Sequence, residues 1–153
     1  MTISIQIQHK DVSTICEPIL RSVPEWFGIE EANQNYLAFV DNNLTFIAYE
    51  DDVAVGFLSV NQHFPQSAEI HVMIVHRDHH RKGIGRQLVQ VAEDRLRQSD
   101  THFLQVKTLS DKHPDEGYKL TRTFYKSIGF VPLEEFPTIW GEANPALQLI
   151  KAL

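Results

Sequence analysis

The segment AEIHVMIVHRDHHRKGIGRQL, residues 68–88, reads as a β-strand, a basic turn and the start of an α-helix. Gly83 and Gly85 let the backbone turn tightly enough for several N–H groups to converge on one point. The start of a helix adds unpaired N–H donors and partial positive charge, which favours an anionic ligand. The helix prediction rests on apolar residues at helical spacing: Ile84, Leu88, Val91, Ala92 and Leu96.

Three basic residues accompany this turn, namely Arg81, Lys82 and Arg86, so a phosphate-bearing ligand is predicted there. The P-loop pattern does not fit, because no Lys-Ser/Thr follows either glycine. The dinucleotide pattern G-x-G-x-x-G fits at its first two glycines, but Leu88 occupies its third position. Two glycines alone are also compatible with a turn that merely links a strand to a helix.

The composition is that of an ordinary globular domain, with 153 residues, 42% hydrophobic and 22% charged. The net charge of −6 argues against nucleic-acid and membrane partners, so the basic turn is a local exception. Cys16 is the only cysteine, which excludes a disulfide framework and predicts a cytoplasmic location. It lies on the apolar side of a predicted helix, where packing is favoured over reactivity. The sequence shows no signal-like start and no apolar run near 18 residues.

The remaining elements follow from apolar periodicity. A first helix is predicted after Asp11 as its cap, with Pro18 expected to kink or shorten it. A second helix is predicted from Ile29 to about Asn42, and a last one over residues 119–128, ended by Gly129. Strands are predicted over 3–7, 44–50, 53–60, 67–75, 102–109, 130–136 and 146–153, with a hairpin turn at Asp51-Asp52. The last segment is either an internal strand or an edge strand that forms a homodimer.

Three patches resemble the GNAT N-acetyltransferase superfamily. Gly83-Ile84-Gly85 resembles the core of motif A, which binds the pyrophosphate of acetyl-CoA, although His80 stands where the family has Gln or Arg. Residues 123–130, TFYKSIGF, resemble motif B, and residues 55–58, VGFL, resemble the strand before motif A. The resemblance implies an α+β fold in one domain, 1–153, with a mixed sheet of about seven strands. Its early part is antiparallel and helices lie on both faces.

The resemblance also implies how the cofactor is held. The backbone of Met73, Ile74 and Val75 would bind the pantetheine arm and the oxyanion. The pyrophosphate would be bound by the N–H groups of residues 81–86, and Arg81, Lys82 or Arg86 would meet the 3′-phosphate. Tyr118 stands where many relatives carry an Asn that contacts the cofactor.

Two residues are candidates for the chemistry of acetyl transfer. Glu69 is a candidate base or water-polarising group, because burial in an apolar strand favours the neutral form of a carboxyl group. It lies 14 residues before Gly83, the place of the catalytic glutamate in the histone-acetylating branch. His71 and a water chain are the alternatives. Tyr125, the motif B tyrosine, would protonate the departing thiolate; the alternative is a packed core tyrosine.

The resemblance places several aromatic residues in the variable acceptor pocket: Trp26, Phe27, Tyr36 and Trp140, the last with Glu142. Aromatic faces and a carboxylate suit an ammonium ligand, although each residue is equally compatible with core packing. No metal site is expected among His71, His76, His79 and His80, because Arg77, Arg81 and Lys82 would repel a divalent cation. These residues together predict an acetyl-CoA-dependent N-acetyltransferase that acts on a primary amine of a small molecule by direct attack in a ternary complex. The alternative is a non-catalytic acyl-CoA-binding or interaction module.

Overall fold

A computed structural model describes residues 2–153. The strands form one sheet in the order β1-β2-β3-β4-β5-β7-β6. The pair β4–β5 is parallel, whereas β1–β2, β2–β3, β5–β7 and β6–β7 are antiparallel. The predicted α+β class with a mixed, mostly antiparallel sheet of seven strands is thus confirmed. In chain order the elements are β1 Ile3–Ile7, α1 Val12–Arg21, α2 Glu30–Asn42, β2 Thr45–Glu50, β3 Val53–Phe64, β4 Ser67–Val75, α3 Ile84–Gln98, β5 Phe103–Leu109, α4 Glu116–Ser127, β6 Val131–Phe136 and β7 Ala146–Ala152.

The chain groups into two compact units. The first extends to Asn61 and includes His71–Leu96, and the second consists of Gln62–Ile70 and Arg97–Leu153. In the first unit, α1 and α2 pack apolar side chains against strand residues that include Ile47, Phe57 and Val72. Cys16 is fully buried in this core, as the packing interpretation predicted.

Helix α3 approaches β3 closely within the first unit. A Cβ atom on Gly56 would lie 3.3 Å from both Ile84 Cγ2 and Leu88 Cδ1, and 3.3 Å from the Ile74 carbonyl oxygen. A side chain at this position would therefore push the helix away, and glycine permits the close packing that fixes the start of α3.

The start of α1 differs from the prediction. Asp11 has a left-handed backbone (φ 56°) and makes no capping hydrogen bond with its side chain. Instead, Asp41 Oδ1 on α2 accepts a hydrogen bond of 2.9 Å from the Ser13 N–H. A residue distant in sequence thus satisfies one of the free amides of this helix. Pro18 lies inside α1, which continues to Arg21, so the proline does not end the helix.

The end of β3 and the start of α4 also differ from the predicted boundaries. Strand β3 continues to Phe64, four residues beyond the predicted end. Helix α4 begins at Glu116 because the carboxylate of Asp115 caps it, accepting from the N–H of Gly117 (2.7 Å) and of Tyr118 (3.4 Å).

In the second unit, β5 pairs in parallel with β4 from Ser67↔Phe103 to Ile70↔Val106. On its other side β5 pairs with β7, which in turn pairs with β6. The segment 146–153 therefore contains an internal strand, and the edge-strand alternative for it is wrong. Across residues 2–153, none of the helices combines the length and the apolar character needed to cross a membrane.

Candidate functional site

The turn between β4 and α3 has two residues with left-handed backbone, Arg81 at φ 64° and Gly83 at φ 76°. Such alternation of backbone conformation directs successive N–H groups toward one side. The amide of Gln87 donates to the Gly83 carbonyl (3.2 Å), so the amides of residues 84–86 have no acceptor within α3. A Cβ atom on Gly83 would meet nothing within 4 Å. The turn is an open cradle of backbone donors, and it brings Gly83, Ile84, Gly85 and Arg86 together.

His80 holds this turn to the end of β4. Its Nε2 lies 2.7 Å from the carbonyl oxygen of Val75, and because a carbonyl only accepts, Nε2 is the donor. The ring also lies 6.1 Å from that of Trp26. His80 therefore does not supply a long donor side chain to a ligand; it fixes the backbone of the turn.

The three basic side chains of the turn differ in their partners. Lys82 Nζ lies 3.7 Å from Glu50 Oε2 and 3.3 Å from His79 Nδ1, and His79 Nδ1 lies 2.8 Å from the same carboxylate oxygen. Arg81 and Arg86 are exposed, and within residues 2–153 neither forms an ion pair. Of the three side chains predicted to contact phosphate, Arg81 and Arg86 can do so as they stand. Lys82 must first separate from Glu50.

The backbone of Met73, Ile74 and Val75 lies in the last part of β4, beyond the point where its parallel pairing with β5 ends at Ile70. The Val75 carbonyl already accepts from His80.

Glu69 lies in a buried ionic cluster of the second unit. Only 8% of the residue is exposed. Its Oε1 is 2.6 Å from His63 Nε2, and its two oxygens are 3.2 and 3.0 Å from Lys107 Nζ. Glu69 is therefore buried, and both of its carboxylate oxygens have partners.

Tyr125 is buried on α4 between two phenylalanines, with ring centroids 5.2 Å from Phe124 and 5.4 Å from Phe130. Both contacts are edge-to-face, as aromatic pairs prefer. Burial raises the pKa of Tyr125 well above the ordinary value for a phenol, so the hydroxyl stays protonated at neutral pH. One turn earlier, the buried Arg122 donates to the Leu109 carbonyl (2.8 Å) and ties α4 to the end of β5.

Of the predicted acceptor residues, the structure brings Phe27 and Tyr36 together, with ring centroids 5.6 Å apart. Tyr36 also lies 5.6 Å from His71, which stacks on Phe39 at 3.9 Å. Trp26, Phe27 and Tyr36 are partly buried against the core of the first unit, and burial raises the pKa of Tyr36. Trp140 is 44% exposed and belongs to the second unit.

Each of the four clustered histidines contacts another residue of the protein. His71 stacks on Phe39, His76 Nδ1 accepts from the Asp78 N–H, His79 pairs with Glu50 and His80 with Val75. Among residues 2–153, no group of three His, Cys, Asp or Glu side chains is placed to hold a metal ion.

Sequence reasoning missed His63 and Lys107, the partners of Glu69. His63 and Glu69 flank the Pro65-Gln66 turn, so extending the predicted strand to this turn would have placed them on adjacent strands. No local signal connects Glu69 to Lys107, which is 38 residues away and reaches it through the parallel pairing of β4 and β5.

The comparisons with known proteins agree with this geometry. Residues 14–130 match the model of the acetyltransferase (GNAT) family. A GNAT-family protein from Desulfovibrio desulfuricans superposes with a TM-score of 0.87 at 16% identity, covering 99% of both chains. A GNAT acetyltransferase from Elizabethkingia anophelis, solved with acetyl-CoA bound, has a TM-score of 0.76 at 16% identity and covers 99% and 98%. An aminoglycoside 6′-N-acetyltransferase complexed with coenzyme A gives 0.77 at 15%, covering 99% and 97%. A search of curated proteins finds no match.

Proposed function

The chain belongs to the acetyltransferase (GNAT) family, and from this premise we propose that it transfers the acetyl group of acetyl-CoA to a primary amine of a small molecule. The observation that carries the proposal is the open turn at residues 81–83, which leads into the free amides at the start of α3. Backbone donors at a helix start are suited to a diphosphate. We assign the pyrophosphate to the amides of residues 84–86, with Arg81 and Arg86 as charged contacts and Lys82 as a further one once it leaves Glu50.

The pantetheine arm and the thioester oxygen are assigned to the backbone of Met73, Ile74 and Val75. The early end of the β4–β5 pairing, at Ile70 and Val106, supports this assignment. Backbone N–H groups aimed at a developing oxyanion stabilise it without reorganisation during the reaction.

Acetyl transfer requires loss of a proton from the ammonium group and gain of one by the thiolate. We assign Glu69 to the first step, acting through the groups that its carboxylate contacts, and Tyr125 to the second. The support for Tyr125 is its position in residues 123–130, TFYKSIGF, together with a phenol that is protonated at neutral pH and can donate to a thiolate.

The acceptor is proposed to be a small cationic amine. Its support is the aromatic group that contains Phe27 and Tyr36, since aromatic faces attract ammonium ions. Aminoglycoside acetyltransferases are among the structures with this fold, at 15% and 20% identity. Trp26 and Trp140 are each assigned to acceptor binding as well.

The test combines acetyl-CoA binding by calorimetry with thiol release over a panel of polyamines, aminoglycosides and amino-acid amines. The Tyr125→Phe variant should bind acetyl-CoA normally while turnover falls on the order of 10-fold or more. Tyr49→Phe, which loses a hydroxyl that donates to Gln8, is the matched control and should keep its activity. Equal turnover of Tyr125→Phe and wild type would remove Tyr125 from the mechanism.

Two outcomes would overturn other parts of the proposal. Turnover only with neutral or anionic acceptors would exclude a cationic substrate. Binding of acetyl-CoA without turnover on any amine would indicate a non-catalytic acyl-CoA-binding module.

A further inference from the structure

His63 is the most exposed member of the cluster around the buried Glu69. The side-chain exposure is 11% for Glu69, 24% for Lys107 and 34% for His63. Ser59 pairs with Thr45, the first residue of β2, so His63 lies four residues beyond the part of β3 that pairs with β2. The imidazole therefore connects a buried carboxylate to the surface.

The contacts of Glu69 define the tautomer of His63. The ammonium of Lys107 lies within 3.2 Å of both carboxylate oxygens, so the two side chains form a charge-assisted pair. An ionised carboxylate only accepts hydrogen bonds, so Nε2 of His63 must carry the proton in the 2.6 Å contact. In the neutral ring the lone pair is then on Nδ1, for which the structure of residues 2–153 records no partner.

Glu69 and His63 are arranged like the acid and the histidine of a catalytic triad. In such a pair, a buried carboxylate orients the imidazole and stabilises the imidazolium that forms when it accepts a proton. Both oxygens of Glu69 already contact His63 or Lys107, and only 11% of its side chain is exposed. We propose that Nδ1 of His63 takes the proton from the acceptor ammonium group, and that Glu69 and Lys107 are positioning residues for it. This inference rests on the proposed function and names the atom that performs its first proton transfer.

The charged groups recorded at this cluster come from two strands besides β3. Glu69 from β4 contacts it directly, and Lys107 from β5 acts through Glu69. Its neighbour Gln62 on β3 is uncharged and donates to the Phe64 carbonyl. The recorded charged contacts of this cluster are therefore those of Glu69 with His63 and of Glu69 with Lys107.

The proposed step balances as follows. The substrate ammonium gives one proton to Nδ1 of His63, which later releases it to solvent. The neutral nitrogen forms the C–N bond to the thioester carbon, and the C–S bond breaks. Tyr125 gives its hydroxyl proton to the departing thiolate. The second proton of the nitrogen passes through solvent to the Tyr125 phenolate and restores it, so the products are the amide, the coenzyme A thiol and one released proton.

The experiment measures kcat and KM between pH 5 and 9 for wild type, His63→Gln and the control His102→Gln. Glutamine can still donate to Glu69 but does not titrate, and His102 is an exposed histidine whose recorded hydrogen bonds are backbone only. Histidine changes charge between about pH 5 and 8, so wild type should lose activity toward acid through that range. His63→Gln should lower kcat by about 100-fold or more, leave the KM for acetyl-CoA within about threefold and lose this acid limb. His102→Gln should behave as wild type.

Two further measurements separate a base from a structural residue. Added imidazole should restore part of the activity of His63→Ala but not of Tyr125→Phe. Long-range proton–nitrogen NMR of the wild type should show the Nε2–H tautomer at pH 8, and an Nδ1–H tautomer would overturn the inference.

The outcomes distinguish this inference from the proposed function. A wild type that acetylates amines, with a His63→Gln variant that keeps the acid limb and a kcat within about threefold, overturns only the role of His63. A wild type that binds acetyl-CoA and acetylates no amine overturns the proposed function, and the role of His63 with it.

Discussion

Replacing Gly83 by alanine tests whether the left-handed turn at the start of α3 is what binds the cofactor. Gly83 has φ 76°, and a Cβ atom there would meet nothing within 4 Å, so the substitution introduces backbone strain without a clash inside the protein. A left-handed conformation costs an L-residue roughly 1–2 kcal/mol. If the variant relaxes out of this conformation when empty, binding must restore it. Acetyl-CoA should then bind about 5- to 30-fold more weakly.

Gly141 provides the matched control, because it has φ 88° and equally open space around a built Cβ. Gly141→Ala introduces a similar strain, and the loss in Tm of either variant should be at most about 2–8 °C. Only Gly83→Ala should lose affinity, as measured by calorimetry with acetyl-CoA. Equal affinities of the two variants, within about twofold of wild type, would refute the assignment of the diphosphate to this turn.

The remaining predictions concern the surroundings of the turn and the core. Glu50→Gln should free Lys82 and tighten acetyl-CoA binding by up to about fivefold, as measured by calorimetry at low salt; unchanged affinity would exclude Lys82 as a phosphate contact. Burial, and secondarily the charge of Asp41, raise the pKa of Cys16 to about 12 from 9.0. The protonated thiol of Cys16 therefore stabilises the folded state below pH 9, and this contribution is lost as the pH rises toward 12. Urea unfolding between pH 8 and 10.5 should show a steeper fall in the free energy of unfolding for wild type than for Cys16→Ala. Arg122→Met should lower the free energy of unfolding by about 1.5–3 kcal/mol, because the Leu109 carbonyl loses a charged donor; a loss below about 0.5 kcal/mol in urea titration would contradict this.

Local signals predicted the centre of the fold correctly. The alternation of β4 and the helical spacing of α3 depend on the segment itself, and both elements begin where the pattern indicates, at Ser67 and Ile84. The Asp51-Asp52 hairpin is also local, and both residues adopt positive φ, 49° and 71°.

The errors arose where distant residues act. The N-terminus of α1 is capped by Asp41, 28 residues from the amide that it accepts, so the neighbouring Asp11 was a reasonable but wrong choice. The environment of Glu69 could not be predicted either, because Lys107 reaches it only through the register of two parallel strands. Residue type and spacing indicated a carboxylate early in β4, but they did not indicate which side chains contact its oxygens.

The bond from His80 to the Val75 carbonyl has a kinetic consequence. This hydrogen bond fixes the backbone of the turn without a contact from the cofactor. Cofactor binding therefore does not require a slow rearrangement of the loop beforehand. The speed of association should then follow diffusional encounter, accelerated by the exposed guanidinium groups of Arg81 and Arg86 and slowed by added salt.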